Sequence, residues 1–206
     1  MKKSETIVVI GSGGHSRSVV SLLMNNGFAI EGIYDDSFTG KKKEKILSSE
    51  IKGKIKDIPA RSRIVLATGN NQLREKLFTI YGKKIWDKNI IHPAACIELS
   101  ARLGNSNLVF AFAYINAMAV VGDNTIINSG CIIEHEAKIG NHCHISVGAV
   151  ICGRVKIGNS CFIGAGAVIK DSVSVCSGVT IGAGAVVVKN ITKPGVYTGV
   201  PAGRLK

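Results

Sequence analysis

The chain has 206 residues, 46% hydrophobic and 19% charged, a balance that excludes an intrinsically disordered chain and leaves a packed globular protein. Aromatic residues are only 5%, so the core has to be built from aliphatic and small side chains. The formal net charge of +12 favours anionic partners. The one dense basic run, Lys41-Lys42-Lys43 with Lys45 beside Gly40, has no interleaved aromatic residue and reads as a solvated loop, not a nucleic-acid surface. Lys2 and Lys3 are followed by only a four-residue apolar run, Ile7 to Ile10, which does not make a secretory signal. The longest apolar stretch, Leu108 to Val121, is broken by Asn116 and falls short of the roughly 18–20 residues needed to span a bilayer, so no membrane insertion is expected. Six cysteines without an export signal suggest a reducing cytoplasm, and the absence of CxxC spacing argues against a zinc site.

The first part of the chain alternates strand and helix signals. Ile7 to Ile10 is a short buried-strand run bounded by Gly11-Ser12-Gly13-Gly14. Ser16 is placed to cap a helix carrying Val19, Val20, Leu22 and Leu23, with Gly27 as its stop. Ile30 to Tyr34 reads as a second strand ending at Asp35-Asp36, and Ile64 to Ala67 as a third. Asn70 or Asn71 then opens a helix with Leu73, Leu77, Ile80 and Tyr81 on one face, closed by Gly82. This pattern predicts a Rossmann-like βαβ domain with a parallel sheet over residues 1–90.

From Ile97 the period changes to six. Aliphatic residues recur without a skipped beat from Ile97, Leu103 and Val109 through to Ile181 and Val187, sixteen hexads in all. The fifth place of each hexad is mostly small, as at Ala113, Cys131, Cys143, Ala149, Cys161 and Ala167, and glycine is frequent at the second and fourth places. A strict hexad repeat is the signature of a parallel β-helix in which three hexads close one triangular coil. Residues 91–206 are expected to form about five such coils at the ~4.8 Å spacing of neighbouring strands. Cys131, Cys143 and Cys161 fall in the inward small slot and read as compact hydrophobes; Cys96, Cys152 and Cys176 lie outside it, without an evident role.

The hexads resemble those of the hexapeptide-repeat acyltransferases, which fold as left-handed β-helices and work as trimers. With Gly11-Ser12-Gly13-Gly14-His15, Asp35-Asp36, Ile91-His92-Pro93, Ile133-Glu134-His135-Glu136 and Gly199-Val200-Pro201-Ala202, nearly the whole chain resembles the sialic-acid O-acetyltransferase group. That group includes the N-acetyltransferases of nucleotide-linked 4-amino sugars. The resemblance implies a cytoplasmic homotrimer for glycan biosynthesis, using acetyl-CoA as co-substrate and a nucleotide-sugar as acceptor, with no metal. It places Gly13, Gly14 and His15 near the substrate phosphates, and Asp35 and Asp36 near the base or ribose. Glycines that let backbone amides approach phosphate at a helix N-terminus make physical sense there. A dinucleotide site is the competing reading, but Ser16 stands where that fingerprint has its third glycine.

By the same resemblance His135 is the general base and Glu136 orients its ring; histidine suits the task because it titrates near neutrality. Eighteen residues beyond His135 lies Gly153, one coil further on the same face, whose N–H matches the position that steadies the acyl oxygen. His144 matches a position near the thioester. Asn128 matches one near the reacting nitrogen, although a turn-forming asparagine would look the same. His142 reads as a solvated turn residue and His92 as the residue before a proline at the start of the β-helix. Amine and hydroxyl acceptors are not separated by these residues. A non-catalytic β-helix module, or a metal enzyme with three converging histidines, is the alternative of a different class; the set His135, His142 and His144 lacks clear spacing for the latter.

Overall fold

The computed structural model describes residues 6–40 and 44–205; the run Lys41 to Lys43 lies outside them. The chain opens with β1 (Thr6–Ile10), α1 (Gly14–Asn25), β2 (Ala29–Tyr34), β3 (Lys45–Ile46), β4 (Ser49–Gly53), β5 (Arg63–Leu66) and α2 (Asn71–Tyr81). The sheet order is β3-β4-β2-β1-β5, parallel except for the β3–β4 pair. Alternate residues of β1 point to opposite sides. Ile7 and Val9 pack with α1, while Val8 and Ile10 pack with Leu77 of α2. The β3–β4 pair, absent from the sequence reading, is a short edge with Lys45, Glu50 and Lys52 on it. Such polar edges carry little hydrophobic pattern.

Both helix starts depart from or refine the expectation. The cap of α1 is Gly13, whereas Ser16 is wholly buried one turn in and donates its hydroxyl to the Gly13 carbonyl at 2.5 Å. Asn70 caps α2 by accepting the Leu73 N–H at 2.9 Å. The buried face of α2 is Asn71, Arg74 and Leu77, while Leu73 and Ile80 are exposed. A partly polar face is inward because α2 docks on backbone carbonyls of the β-helix.

The β-helix begins at Ile90–Ile91, one hexad before Ile97. Its first face stacks Ile90–Ile91, Leu108–Val109, Ile126–Ile127, His144–Ile145, Phe162–Ile163 and Val179–Ile181, then Gly195–Thr198 and Gly203–Arg204. The second face runs from Cys96–Ile97 to Val186–Val187, and the third from Arg102–Leu103 to Ser174–Val175. Each strand pairs in parallel with the one eighteen residues on, as Ile133 does with Ile151. The last coil is two residues short: Ile191 bridges Val175 and Tyr197 pairs with Ile181.

The hexad chemistry is visible inside the prism. Cys131, Cys143 and Cys161 are fully buried beside Ile133, Ile145 and Ile163. Asn107 and Thr125 occupy the same kind of slot and form a ladder, with Asn107 accepting from Thr125 N–H at 2.7 Å and Thr125 from Cys143 N–H at 3.1 Å. From Ser106 to Gly184 the second residue of each corner is left-handed, including Glu136, His142 and Arg154 with φ of 58–59°. At roughly 1–2 kcal/mol for a non-glycine residue, that strain has to be offset by the coil-to-coil hydrogen bonds. At one corner, Asp123, Asn141 and Asn159 reach back to the N–H of Asn105, Asp123 and Asn141. Their side chains occupy the space a Cβ would need at Gly104, Gly122 and Gly140.

The α/β unit sits on the first face. Leu108, Phe110 and Ile126 join the cluster built by β1 and α1. Of the run Val109 to Phe112, Val109 is interior, Phe110 is covered by the α/β unit, and only Phe112 faces outward, at 75% exposure.

Candidate active site

Two groups of the expected site residues emerge, on different edges of the molecule. The first is a cleft of about 330 Å³ at the C-terminal ends of β1, β2 and β5, lined by Gly11, Gly13, Gly14, His15, Asp35 and Asp36 together with Thr68 and Gly69. Strand order reverses at β1, and crevices for ligands in parallel sheets form at such switch points. The N-terminus of α1 opens into the cleft, and Gly11, with φ of +113°, makes the turn. Asp35 is occupied by its own chain: Oδ2 accepts Ser12 N–H at 2.6 Å, and Oδ1 accepts from Ser37 N–H and Oγ. Burial raises its pKa, but these donors outweigh burial and hold the carboxyl below its ordinary value. Asp35 therefore shapes the glycine loop, while Asp36 accepts Ile55 N–H at 3.1 Å.

Behind His15 and Gly69, which line this cleft, the α/β unit meets the β-helix. His144 leaves the first face of the β-helix and meets the Gly69 carbonyl at 3.3 Å through Nδ1 and Asn128 Nδ2 at 3.3 Å through Nε2. Its ring lies 5.6 Å from that of His15 and 5.0 Å from Phe162. The His15 Nε2 is buried without a protein partner. Burial, aided by the nearby Arg74 charge, lowers the His15 pKa to about 4. Burial likewise takes His144 to about 4, against the opposing pull of the Gly69 carbonyl. Both rings are neutral at physiological pH.

Arg74 is the rivet of the seam. It is 1% exposed and donates to the carbonyls of Thr68, Asn124, His142 and Cys143 and to Asn71 Oδ1. Asn71 in turn donates to the Cys161 carbonyl, and Ser160 Oγ to Glu75 Oε2. His142 belongs to this seam and is not a solvated turn residue: its ring packs 5.4 Å from Phe78, and Nδ1 is 2.8 Å from Asn124 Nδ2.

The second group lies on the corner between the second and third faces. His135 Nδ1 is 3.3 Å from Glu136 Oε2; a carboxylate oxygen only accepts, so the pair puts a proton on Nδ1, and in the neutral ring Nε2 is then an acceptor. Gly153 lies directly below. A Cβ there would come within 2.6 Å of His135 Cε1 and 2.7 Å of Nε2. Among the described residues the Gly153 N–H donates no hydrogen bond. Asp171, one coil further, is bound through Oδ1 by Arg154 at 2.7 Å and Ser172 at 2.6 Å. Arg154 first, then Ser172, holds its pKa below the ordinary carboxylate value.

No hydrogen bond or ring contact joins His135 and Gly153 to His144 and Asn128 among the described residues. His135, His142 and His144 stand on two corners and a face, and among the described residues no three His, Cys, Asp or Glu side chains converge as a metal site would.

Comparison with known proteins settles the family. Residues 6–81 match the PglD N-terminal domain, and residues 154–189 match the bacterial transferase hexapeptide (six repeats). The chain is 31% identical to PerB from Caulobacter crescentus, solved with CoA and GDP-perosamine, over 98% of this chain and 97% of that one, with a TM-score of 0.90. It belongs to the hexapeptide-repeat sugar N-acetyltransferases. A second member of this family, the acetyltransferase domain of PglB from Neisseria gonorrhoeae FA1090 in complex with acetyl coenzyme A, is 30% identical over 98% of this chain and 100% of that one, with a TM-score of 0.88. A 100-residue stretch, 48% of the chain, is also 35% identical to the uncharacterized protein L142 of Acanthamoeba polyphaga mimivirus, and spans 20% of that protein's length.

For a hexapeptide-repeat acetyltransferase, the seam residues Asn71, Arg74 and Glu75 escaped the sequence reading because a helix arginine looks solvated until its partners are known. Asp171 was within reach: the eighteen-residue step from His135 to Gly153, taken once more, lands on it.

Proposed function

We propose that the chain transfers acetyl from acetyl-CoA to the amine of a nucleotide-linked 4-amino-4,6-dideoxy sugar. The observation that carries this reading is the corner of His135, Glu136 and Gly153, with a ring acceptor and an unused N–H side by side, in a chain alike over 98% of its length to a protein solved with CoA and GDP-perosamine. His135 Nε2 takes the proton as the amine nitrogen bonds to the thioester carbonyl carbon. Glu136 holds the imidazole through Nδ1 and stabilises the imidazolium that forms. Gly153 N–H donates to the developing oxyanion. The C–S bond then breaks and CoA leaves as its thiolate, so no metal is required.

In this reading the nucleotide lies in the cleft of Gly13, Gly14, His15 and Asp36, with Asp35 shaping the loop. Asn128 and His144 bound the sugar side of that cleft. The reacting corner and this cleft meet between neighbouring subunits of a homotrimer. An apolar second face supports that assembly: Ile132, Val150, Val168 and Val186 stand outward along it, flanked by Phe112 at 75% and Met118 at 61% exposure. No helix among the described residues is long and apolar enough to cross a membrane. We assign the reaction to the cytoplasm and to glycan biosynthesis.

The test is thiol release from acetyl-CoA against UDP-, dTDP- and GDP-linked 4-amino sugars, with free and CMP-linked sialic acid alongside. Release with an amino sugar is expected. Release only with sialic acid would make the enzyme an O-acetyltransferase, and none with any acceptor would favour a binding module.

A further inference from the structure

Asp171 has a use that the proton transfer does not claim. Its Oδ1 is taken by Arg154 and Ser172, which orients the side chain, while Oδ2 accepts no hydrogen bond among the described residues. Oδ2 turns back toward Gly153. The point where Gly153 would carry a Cβ is 2.8 Å from Asp171 Oδ2 and 2.7 Å from His135 Nε2. With Nδ1 committed to Glu136, Nε2 is an acceptor too. Two acceptors thus converge on the same side of one glycine.

We infer that Asp171 Oδ2 and His135 Nε2 form a two-acceptor seat for the attacking nitrogen, and that Asp171 makes the enzyme select an amine over a hydroxyl. This rests on the reading of His135 as the base. The chemistry is a count of hydrogens. An amine or ammonium has at least two N–H bonds and satisfies both acceptors; a hydroxyl has one and leaves the other unpaired. A site that leaves a polar group unpaired with the wrong ligand discriminates far better than an apolar one. The attacking species is the neutral amine: its lone pair faces the thioester carbonyl while its two N–H bonds go to the two acceptors. The one proton shed as the N–C bond forms passes to Nε2 and not to Asp171. The glycine is part of the device, since any side chain at position 153 would fill the seat.

The experiment measures binding of a nucleotide-linked 4-amino sugar and its 4-hydroxy counterpart by calorimetry in the presence of CoA, for the wild type, Asp171→Asn and Asp171→Ala, with kcat/KM for the amine. Asp171→Ala is expected to weaken the amino sugar about tenfold or more and leave the hydroxy sugar within twofold, with Asp171→Asn between. The loss in amine kcat/KM should reach about 10²-fold. Equal weakening of both ligands, or an unchanged amine affinity, would overturn the seat. His135→Ala separates this from the reading beneath it: if that variant is inactive and Asp171→Ala weakens both sugars alike, only the seat fails. If His135→Ala keeps turnover, the assignment of the base fails first.

Discussion

Gly153 lies so close beneath the His135 imidazole that a single methyl group cannot be added without moving the ring, with Cε1 only 2.6 Å from the place of a Cβ. Gly153→Ala should therefore act on catalysis and not on folding. The ring would swing away from Glu136, and kcat should fall about 10²-fold, the usual cost of displacing a catalytic group by an ångström. The melting temperature should stay near that of the wild type because the His135 and Glu136 side chains are about half exposed and can swing into solvent. A variant with normal kcat would show that the ring's position over Gly153 has no part in turnover.

His135→Ala should lower kcat by about 10²–10⁴-fold and leave KM for acetyl-CoA nearly unchanged, since the residue acts on the nucleophile. Glu136→Ala should cost less because it only orients and polarises the ring. Steady-state kinetics, with oligomeric state measured on the same samples, checks both.

Arg74→Met should destabilise the protein. It strips a buried donor from the Thr68, Asn124, His142 and Cys143 carbonyls. Buried acceptors left unpaired cost on the order of 3 kcal/mol here. The urea midpoint is expected to fall, and limited proteolysis to open the chain between the α/β unit and the β-helix. An unchanged midpoint would mean that the seam is held by apolar contacts alone.

Stability should decline on mild acidification. His15 and His144 have folded pKa values near 4, below their ordinary 6.5, so protons bind the unfolded chain first. Their contribution is complete above the unfolded value and is lost as pH falls from 6.5 toward 4. It amounts to on the order of 3 kcal/mol for each ring. Urea midpoints followed from neutrality down through that window should drop; a flat profile would contradict the burial of the two rings.

Phe112→Glu should break the assembly. Phe112 is 75% exposed on a corner flanking the apolar second face, where a carboxylate would be desolvated on association. Light scattering should show a trimer for the wild type and a smaller species for the variant. A wild-type monomer would remove the subunit interface from the proposal.

What the sequence determined by itself was the repeat and everything that follows from it. Each hexad states inward or outward for its own residues, so Ile97 to Val187, the small slots at Cys131, Cys143 and Cys161, and the stacking of Gly153 under His135 could all be counted off in steps of six and eighteen. The strand–helix alternation and the Asn70 cap were equally local. Tertiary structure alone decided the rest, because it depends on which surfaces meet. A polar helix face at Asn71 and Arg74 is inward only because the carbonyls of a corner fifty to ninety residues later need donors. His142 and His144 became seam residues for the same reason, Asp35 was turned onto the glycine loop by Ser12 and Ser37, and the last coil closed two residues early at Ile191. Periodicity records a residue's direction relative to its own chain; it does not record what will be waiting there.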